Sequence, residues 1–181
     1  MFSGTREDLK IYPNFSNPGL WVLTVYRYGR WARNIRIWGI RWICDRIYWI
    51  LHSLVSTLTT VHLPREVKIG KCFHMIHPMS IMIHPRTVIG DHVGIMHEVT
   101  LGTKGTRGAP VIGNHVFIGA GAKIIGAVRI GDNVDIGANA VVLKDVPPDS
   151  LVVGNPGRVI EKGPGEREVP LKTEGEIQDE A

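Results

Sequence analysis

Aliphatic residues recur at every sixth position through the middle of the chain. One run begins at Ile83 and a second at Ile112, and glycine follows the aliphatic residue in six of the ten hexads. An α-helix repeats at 3.6 residues and a strand at 2, so this period fits neither a helix nor a simple hairpin. It predicts a solenoid in which each hexad gives one short strand and one corner, with about 18 residues per coil. The aliphatic residues predicted to fill its interior are Ile83, Ile89, Ile95, Leu101, Ile112, Ile118, Ile124, Ile130, Ile136 and Val142.

A small or β-branched residue stands four positions after nearly every one of these aliphatic residues, where each flat face must turn into the next. The series is interrupted once, between Leu101 and Ile112, by a stretch rich in Gly and Thr that is typical of a loop. Loops on a regular scaffold often carry function, so the loop at 102–111 is a candidate part of the site. The small residues are Thr87, Val93, Val99, Val116, Ala122, Val128, Val134, Ala140 and Val146.

The regions on either side of the repeats have a different composition. All five Trp, all four Tyr and 11 of the 13 aromatic residues precede residue 50. Arginines interleaved with apolar residues favour helix over roughly 20–60, although Gly29 and Gly39 weaken any single continuous helix. The predicted organisation is a helical, basic and aromatic-rich segment at 1–62, a solenoid domain at 63–160 and an acidic, flexible tail at 161–181.

Charge and cysteine content exclude several classes of protein. Residues 1–62 carry 8 basic and 3 acidic groups (8 − 3 = +5), residues 63–160 carry 10 and 7 (+3), and residues 161–181 carry 3 and 7 (−4). The net +4 is therefore no guide to one partner. With only two cysteines, a disulfide scaffold is excluded. The sequence contains no run of about 18 uncharged apolar residues, so no membrane-spanning helix is predicted. No secretory signal is evident at Met1–Asp8, so the expected location is the cytoplasm.

Particular motifs resemble a known family. The segments 118–124, 136–142 and 153–159 resemble the hexapeptide-repeat acyltransferases, and the stretch from Ile76-His77-Pro78 to His97–Gly102 resembles the catalytic coils of their serine acetyltransferase-like branch. This resemblance covers about residues 60–160. The basic, Trp-rich leader is similar to the subgroup of exopolysaccharide pathways, such as the colanic acid acetyltransferases. The resemblance implies a mainly β fold, a left-handed parallel β-helix after an α-helical segment, that works as a homotrimer with acetyl-CoA as acyl donor and no metal.

The resemblance also implies a set of site residues. His77 stands where these enzymes keep the histidine that removes the acceptor's proton, a task that suits an imidazole near pH 7. His97 is a second candidate, for contact with the acceptor or the thioester. Lys123 and Arg158 are candidates to bind the cofactor's phosphates. The full set expected to bind the cofactor is Gly102, Thr103, Gly119, Ala120, Lys123, Ala138 and Arg158.

Three positions depart from the serine enzymes. They place Asp fifteen residues before the catalytic histidine and Asp immediately before it, where this chain has His62 and Ile76, and Ala109 replaces a loop histidine. Losing charged anchors weakens recognition of an amino acid. The predicted acceptor is therefore the hydroxyl of a sugar in exopolysaccharide biosynthesis, free or lipid-linked. The group that orients His77 is left open between His62 itself, Glu66, Glu98 and a backbone carbonyl.

Alternative functions remain at this point. A serine or other small-molecule O-acetyltransferase would differ in its acceptor only, and a non-catalytic β-helix would bind no acetyl-CoA. A γ-type zinc carbonic anhydrase-like enzyme would need His92 and His97 to converge with a third ligand, and their hexad register argues against this. The remaining histidines are expected at corners or on the surface: His52, His74, His84 and His115.

The basic aromatic leader allows three interpretations. It can cap the open end of the solenoid with its Trp residues. It can also contact a membrane peripherally through residues 20–60, with Trp at the interface and Arg facing anionic headgroups, which would place the protein at the inner face of the cell membrane. Nucleic-acid binding is not expected, because no recognised motif accompanies the positive charge.

Overall fold

The structure, a computed structural model, describes residue 12, residues 17–106 and residues 108–162. Two helices precede a series of short strands. They are α1 (Pro18–Arg33) and α2 (Trp38–Thr59). The strands are β1 (Lys68–Ile69), β2 (His74–Met75), β3 (Met82–Ile83), β4 (Val88–Ile89), β5 (Gly94–Ile95), β6 (Thr100–Gly102), β7 (Val111–Ile112), β8 (Phe117–Ile118), β9 (Lys123–Ile125), β10 (Arg129–Ile130), β11 (Asp135–Ile136), β12 (Val141–Val142), β13 (Ser150–Val153) and β14 (Arg158–Glu161).

The strands stack into three parallel faces. The first face is β1-β4-β7-β10, the second β2-β5-β8-β11-β13 and the third β3-β6-β9-β12. Residues pair in strict register from coil to coil, as Ile95 does with Ile118 and Ile118 with Ile136. Only β14 runs antiparallel, beside β13. The predicted parallel solenoid is therefore confirmed, and each hexad supplies one strand and one corner.

The interior consists of the residues that the hexad period selects. All ten aliphatic positions and all nine small positions are buried, from Ile83 to Val146. They form one continuous core through the stack of coils. A chain of parallel coils buries such residues in columns because each coil contacts its neighbours alone.

The first helix covers the N-terminal end of the solenoid. Asn17 caps α1, its side chain accepting a hydrogen bond from the Gly19 amide at 2.8 Å, and Pro18 occupies the first turn. Buried α1 residues such as Leu23 and Tyr26 join the solenoid core. The Tyr26 hydroxyl donates a hydrogen bond to the Val67 carbonyl at 2.8 Å.

The break between the helices lies at residues 34–37 and not at either glycine. Gly29 lies inside α1, where a Cβ atom would stand 2.4 Å from the Tyr48 ring. The lack of a side chain there lets the two helices cross closely. Tyr48 is buried at this crossing, and its hydroxyl accepts a hydrogen bond from the Arg65 amide at 3.1 Å.

Three of the five Trp residues, all on α2, are exposed and do not cap the solenoid. Trp38 is 82% exposed, and Trp42 and Trp49 are each 54% exposed. Tyrosines make the inward contacts instead, because a phenol can end its apolar ring with a hydrogen bond to backbone. Among the described residues, neither helix is both long and apolar enough to cross a membrane.

The predicted domain boundaries stay a prediction. The first strand pairing of the solenoid among the described residues is a parallel bridge between His62 and Met82, one coil below. Strand β14 ends at Glu161. The rest of the predicted tail, residues 163–181, and the segment 1–11 lie outside the described residues.

Candidate active site

The turns that lead from the second face to the third stack into one corner, which we call the 2–3 corner. It comprises residues 76–81, 96–99, 119–122 and 137–140. Backbone hydrogen bonds join its layers: the Glu98 amide donates to Met79, that of Gly121 to His97 and that of Asn139 to Ala120, at 2.8–3.0 Å.

His77 lies in the first layer of the 2–3 corner. Six residues connect β2 to β3, whereas four connect β5 to β6 in the next layer. The longer turn contains His77 with φ 51°, a left-handed conformation uncommon for a side chain other than glycine. The side chain is exposed at the outside of the corner. The sequence therefore places this histidine where a substrate can reach it.

His97 lies one layer below, in the turn before β6. Its ring is half-buried, and its Nδ1 atom is fully buried without a hydrogen-bond partner among the described residues. Buried polar atoms are nearly always paired, so this unpaired nitrogen is unusual.

Three of the predicted cofactor positions belong to the lower layers of the same corner. Gly119 is buried, and a Cβ atom there would lie 2.7 Å from the Ala138 amide nitrogen and 2.9 Å from the Ile136 carbonyl oxygen. Glycine is thus what allows these two layers to approach. Ala120 and Ala138 are the half-buried and exposed residues beside it.

Lys123 completes this group from the start of β9. Its ammonium group donates a hydrogen bond to the Glu98 backbone carbonyl, across one layer of the 2–3 corner. The structure therefore brings together His77, His97, Gly119, Ala120, Lys123 and Ala138.

The other predicted cofactor residues lie elsewhere. Gly102 and Thr103 stand at the far end of β6, where the loop begins, and Arg158 is exposed on β14. The turn before Arg158 reaches the last layer, since the Gly157 amide donates to the Val141 carbonyl at 2.8 Å.

The candidates to orient His77 are separated by their contacts. Glu66 forms ion pairs with Arg33 at 3.3 Å and with Arg65 at 3.5 Å, near the helices. His62 and Glu98 are both exposed on the side of the 2–3 corner next to the third face. His62 lies one layer above Met82, and Glu98 lies one layer below Ser80. In residues 17–106 and 108–162, no hydrogen bond to the His77 ring is present.

The two histidines of the zinc alternative lie at different corners. His92 is in the turn between the first and second faces, where its ring stacks on His115 with centroids 4.8 Å apart. His97 is in the 2–3 corner. Across the described part of the chain, no three His, Cys, Asp or Glu side chains are placed to bind one metal ion.

Two histidines differ from the expected surface positions. His74 is buried on β2 because the Tyr12 ring packs edge-on against it, with centroids 5.4 Å apart. His52 is half-buried in α2, stacked on Tyr48.

Tyr12 is a supporting residue that the sequence did not reveal. Its hydroxyl accepts a hydrogen bond from the Met75 amide at 2.6 Å, two residues before His77. It thereby holds the strand that leads into the longer turn. Nothing in the spacing of the leader's aromatic residues distinguishes Tyr12 from the others.

Comparison with known proteins agrees with this fold. The family of bacterial hexapeptide (six repeats) transferases matches residues 109–144. The serine acetyltransferase of Synechococcus elongatus is 38% identical over 157 residues, which cover 85% of this chain and 61% of the relative. That of Helicobacter pylori is 38% identical over 148 residues, covering 80% and 82%. The Brucella abortus serine acetyltransferase in complex with coenzyme A superimposes with a TM-score of 0.74 at 27% identity, covering 88% of this chain and 67% of that one.

These comparisons confirm part of the sequence predictions and correct another part. The left-handed β-helix after two helices and the acetyl-CoA-dependent O-acetyltransferase class are confirmed. The kinship to exopolysaccharide enzymes finds no support, and the predicted sugar acceptor is contradicted, because the relatives are serine acetyltransferases. The chain belongs to the serine acetyltransferase family of hexapeptide-repeat transferases.

Proposed function

We propose that the protein transfers the acetyl group of acetyl-CoA to the hydroxyl oxygen of L-serine. A new C–O bond forms, the thioester C–S bond breaks, and the hydroxyl proton passes by way of the enzyme to the departing sulfur, so that coenzyme A leaves as the thiol. The observation that carries the proposal is the 2–3 corner, which gathers His77, His97 and the Gly119–Ala120 backbone in one place. The names of the relatives supply the acceptor.

His77 acts as the general base. It is exposed at the corner and is held on a left-handed turn whose length differs from the layer below. A neutral imidazole can take the hydroxyl proton as the oxygen attacks the thioester carbonyl. His62, Glu98 or a backbone carbonyl orients the ring; Glu66 is the weaker candidate because its Oε1 atom already pairs with Arg33 and Arg65.

His97 contacts the acceptor or the thioester. Its half-buried ring lies in the same corner as His77, and the accessible part of that ring can exchange a hydrogen bond with a substrate oxygen.

Coenzyme A binds along the third face beside the corner. Gly119, Ala120 and Ala138 offer backbone at close approach, and Lys123 offers a cation. Gly102 and Thr103 bound the other end of this face, which is only three residues wide at β6. A long cofactor can therefore contact both ends, and Arg158 is available for its phosphates.

A second acceptor class is favoured by one specific observation. The positions at which the sequence resemblance implies charged anchors hold His62, Ile76 and Ala109, and Ala109 is buried. No carboxylate stands at these positions to bind an ammonium group. Another small hydroxyl compound is the alternative that the assay below must distinguish.

The assembly is proposed to be a homotrimer. Exposed apolar residues on the flanks of the solenoid are suited to contact between subunits: Met79, Met82, Val111 and Leu143. The cytoplasmic location stays a prediction.

The test is an acetyl-transfer assay with the purified protein and its H77A variant. We expect L-serine to be converted to O-acetylserine with release of free thiol, both followed by mass spectrometry and thiol detection. H77A should lower kcat/KM by roughly 10²–10⁴-fold, the usual contribution of a positioned base.

His115→Ala is the matched control. His115 is also exposed on a left-handed turn, with φ 54°, but at a different corner. H115A should keep the wild-type rate. Undiminished activity of H77A would overturn the role of His77. Acetylation of another small hydroxyl compound in preference to L-serine would overturn the acceptor.

A further inference from the structure

Helix α2 presents a large apolar surface to solvent. Of its 22 residues only Tyr48 and Thr59 are buried. Its exposed side chains include the most exposed Trp of the described chain, at 82%, and Ile50 at 68%. We call this surface the α2 face; its members are Trp38, Ile40, Trp42, Ile43, Ile47, Trp49, Ile50, Leu51, Leu54 and Leu58. Contiguous apolar patches of this kind are rare on soluble monomers and mark contact sites.

Positive charge accompanies this face. Residues 36–59, which comprise α2 and the two residues before it, contain three arginines and one aspartate (3 − 1 = +2). Arg36 and Arg46 are exposed, and the Arg46 guanidinium lies 5.4 Å from the centre of the Trp42 ring. Cations beside tryptophan rings at the edge of an apolar surface suit the boundary between lipid headgroups and acyl chains.

We propose that the α2 face binds the surface of an anionic lipid membrane. The helix lies parallel to that surface, with its aliphatic residues at the acyl boundary, its Trp rings at the interface and Arg36 and Arg46 on the headgroup phosphates. The contact is peripheral, since no helix of the described residues, α2 included, is both long and apolar enough to span a membrane.

Charge decides between a membrane and a second copy of the chain. Two α2 faces packed together would bring the exposed Arg36 and Arg46 of one copy near those of the other, and like charges oppose that association. An anionic bilayer neutralises the same arginines and also accepts the apolar side chains. Each basic residue near such a surface strengthens binding about fivefold.

The α2 face is held rigidly on the solenoid before any membrane is met. Arg65 forms an ion pair with Asp45 at 2.5 Å, and its guanidinium stacks over the Tyr48 ring at 4.5 Å from the centroid. The helix therefore does not have to order on binding, which lowers the entropic cost of docking.

The test uses the full chain and two kinds of vesicle. One kind is phosphatidylcholine alone, and the other contains phosphatidylglycerol as well. We expect co-sedimentation with the anionic vesicles, a blue shift of Trp fluorescence on binding, and loss of both signals in high salt, which screens headgroup charge.

Paired variants assign the contact to the α2 face. R36Q/R46Q should weaken binding to the anionic vesicles roughly 25-fold, about fivefold for each arginine. W38Q/W42Q should weaken it about tenfold or more. The control R129Q/K144Q removes two exposed charges from the solenoid, and the control I160Q removes an apolar residue that is 49% exposed. Both controls should bind like the wild type.

Other outcomes would overturn the proposal. Equal, salt-independent binding to both vesicles would refute an anionic partner. No binding, together with an assembly larger than a trimer that W38Q/W42Q dissociates in analytical ultracentrifugation, would assign the face to a second copy. The acetyl-transfer rate of W38Q/W42Q in solution should equal the wild-type rate, so failure of this proposal leaves the proposed reaction untouched.

Discussion

The solenoid and helix α2 treat apolar residues in opposite ways. In the solenoid every aliphatic residue of the hexad series is buried, and Ile95, Ile118 and Ile136 have no exposed surface at all. In α2 the isoleucines are at least 42% exposed, although the segment is just as rich in them. The same residue type therefore identifies the interior in one region and an external contact surface in the other.

The difference lies in what covers each region. A coil of the solenoid is covered by the next coil of the same chain, so its period contains the information needed to bury it. Helix α2 packs by one narrow face on α1 and Arg65, and the described residues leave the rest of its surface exposed. A helical period alone does not say whether another molecule covers that surface.

The largest expected effect on stability comes from replacing one isoleucine in each region by alanine. Ile118→Ala empties a fully buried site and should lower the free energy of unfolding by about 2–5 kcal/mol. Ile50→Ala, at a residue 68% exposed, should change it by less than about 0.5 kcal/mol. Urea unfolding at one fixed protein concentration measures both, since the stability of an oligomer depends on concentration. A loss for Ile50→Ala as large as that for Ile118→Ala would mean that α2 is already covered in solution.

The fold was largely predictable because its repeat is one-dimensional. Ile83, Ile112 and Val142 could each be placed inside from their register with one another. The helices were harder: the break falls at residues 34–37, whereas glycine composition pointed to Gly29 or Gly39. Gly29 serves a helix crossing with Tyr48, a contact between residues 19 positions apart that local sequence does not encode.

The site was predictable in part. The resemblance placed His77, Gly119 and Ala138 in one region, and the structure finds all three in the 2–3 corner. Contacts of high sequence separation could not be foreseen. Glu66 was a candidate to orient His77. In the structure the Glu66 carboxylate pairs instead with Arg33, which stands 33 positions before it in the chain. The predicted sugar acceptor was wrong. It followed from three substituted positions, His62, Ile76 and Ala109, whereas the similarity over the whole chain is to serine acetyltransferases.

A smaller test changes one glycine in each region to alanine. At Gly119 the added Cβ would meet backbone atoms of the next layer at 2.7 and 2.9 Å, so Gly119→Ala should destabilise the protein by about 1–3 kcal/mol. At Gly39 nothing lies within 4 Å, so Gly39→Ala should stabilise α2 by up to about 1 kcal/mol. Thermal unfolding of both variants gives the signs directly. The same sign for both would show that close stacking of the corner does not distinguish the two regions.

The smallest expected effect is a pH dependence confined to the helical region. Burial against Tyr48 is the main cause that lowers the pKa of His52 below its ordinary value of 6.5, and the neighbouring His62 lowers it further. The unfolded chain then binds a proton that the folded chain resists. Stability from this source is complete above about pH 6.5 and is lost as the pH falls below it.

His52→Gln should flatten that part of the profile. The half-buried ring is partly screened by water. The loss of unfolding free energy that His52 causes between about pH 7.5 and about pH 5.5 should therefore be less than about 1 kcal/mol. Loss of the ring's stacking on Tyr48, with centroids 5.4 Å apart, lowers stability equally at every pH and shifts the curve without changing its slope. Urea midpoints at a series of pH values separate these two effects. An unchanged slope in the variant would show that the acid sensitivity of the protein does not arise from His52.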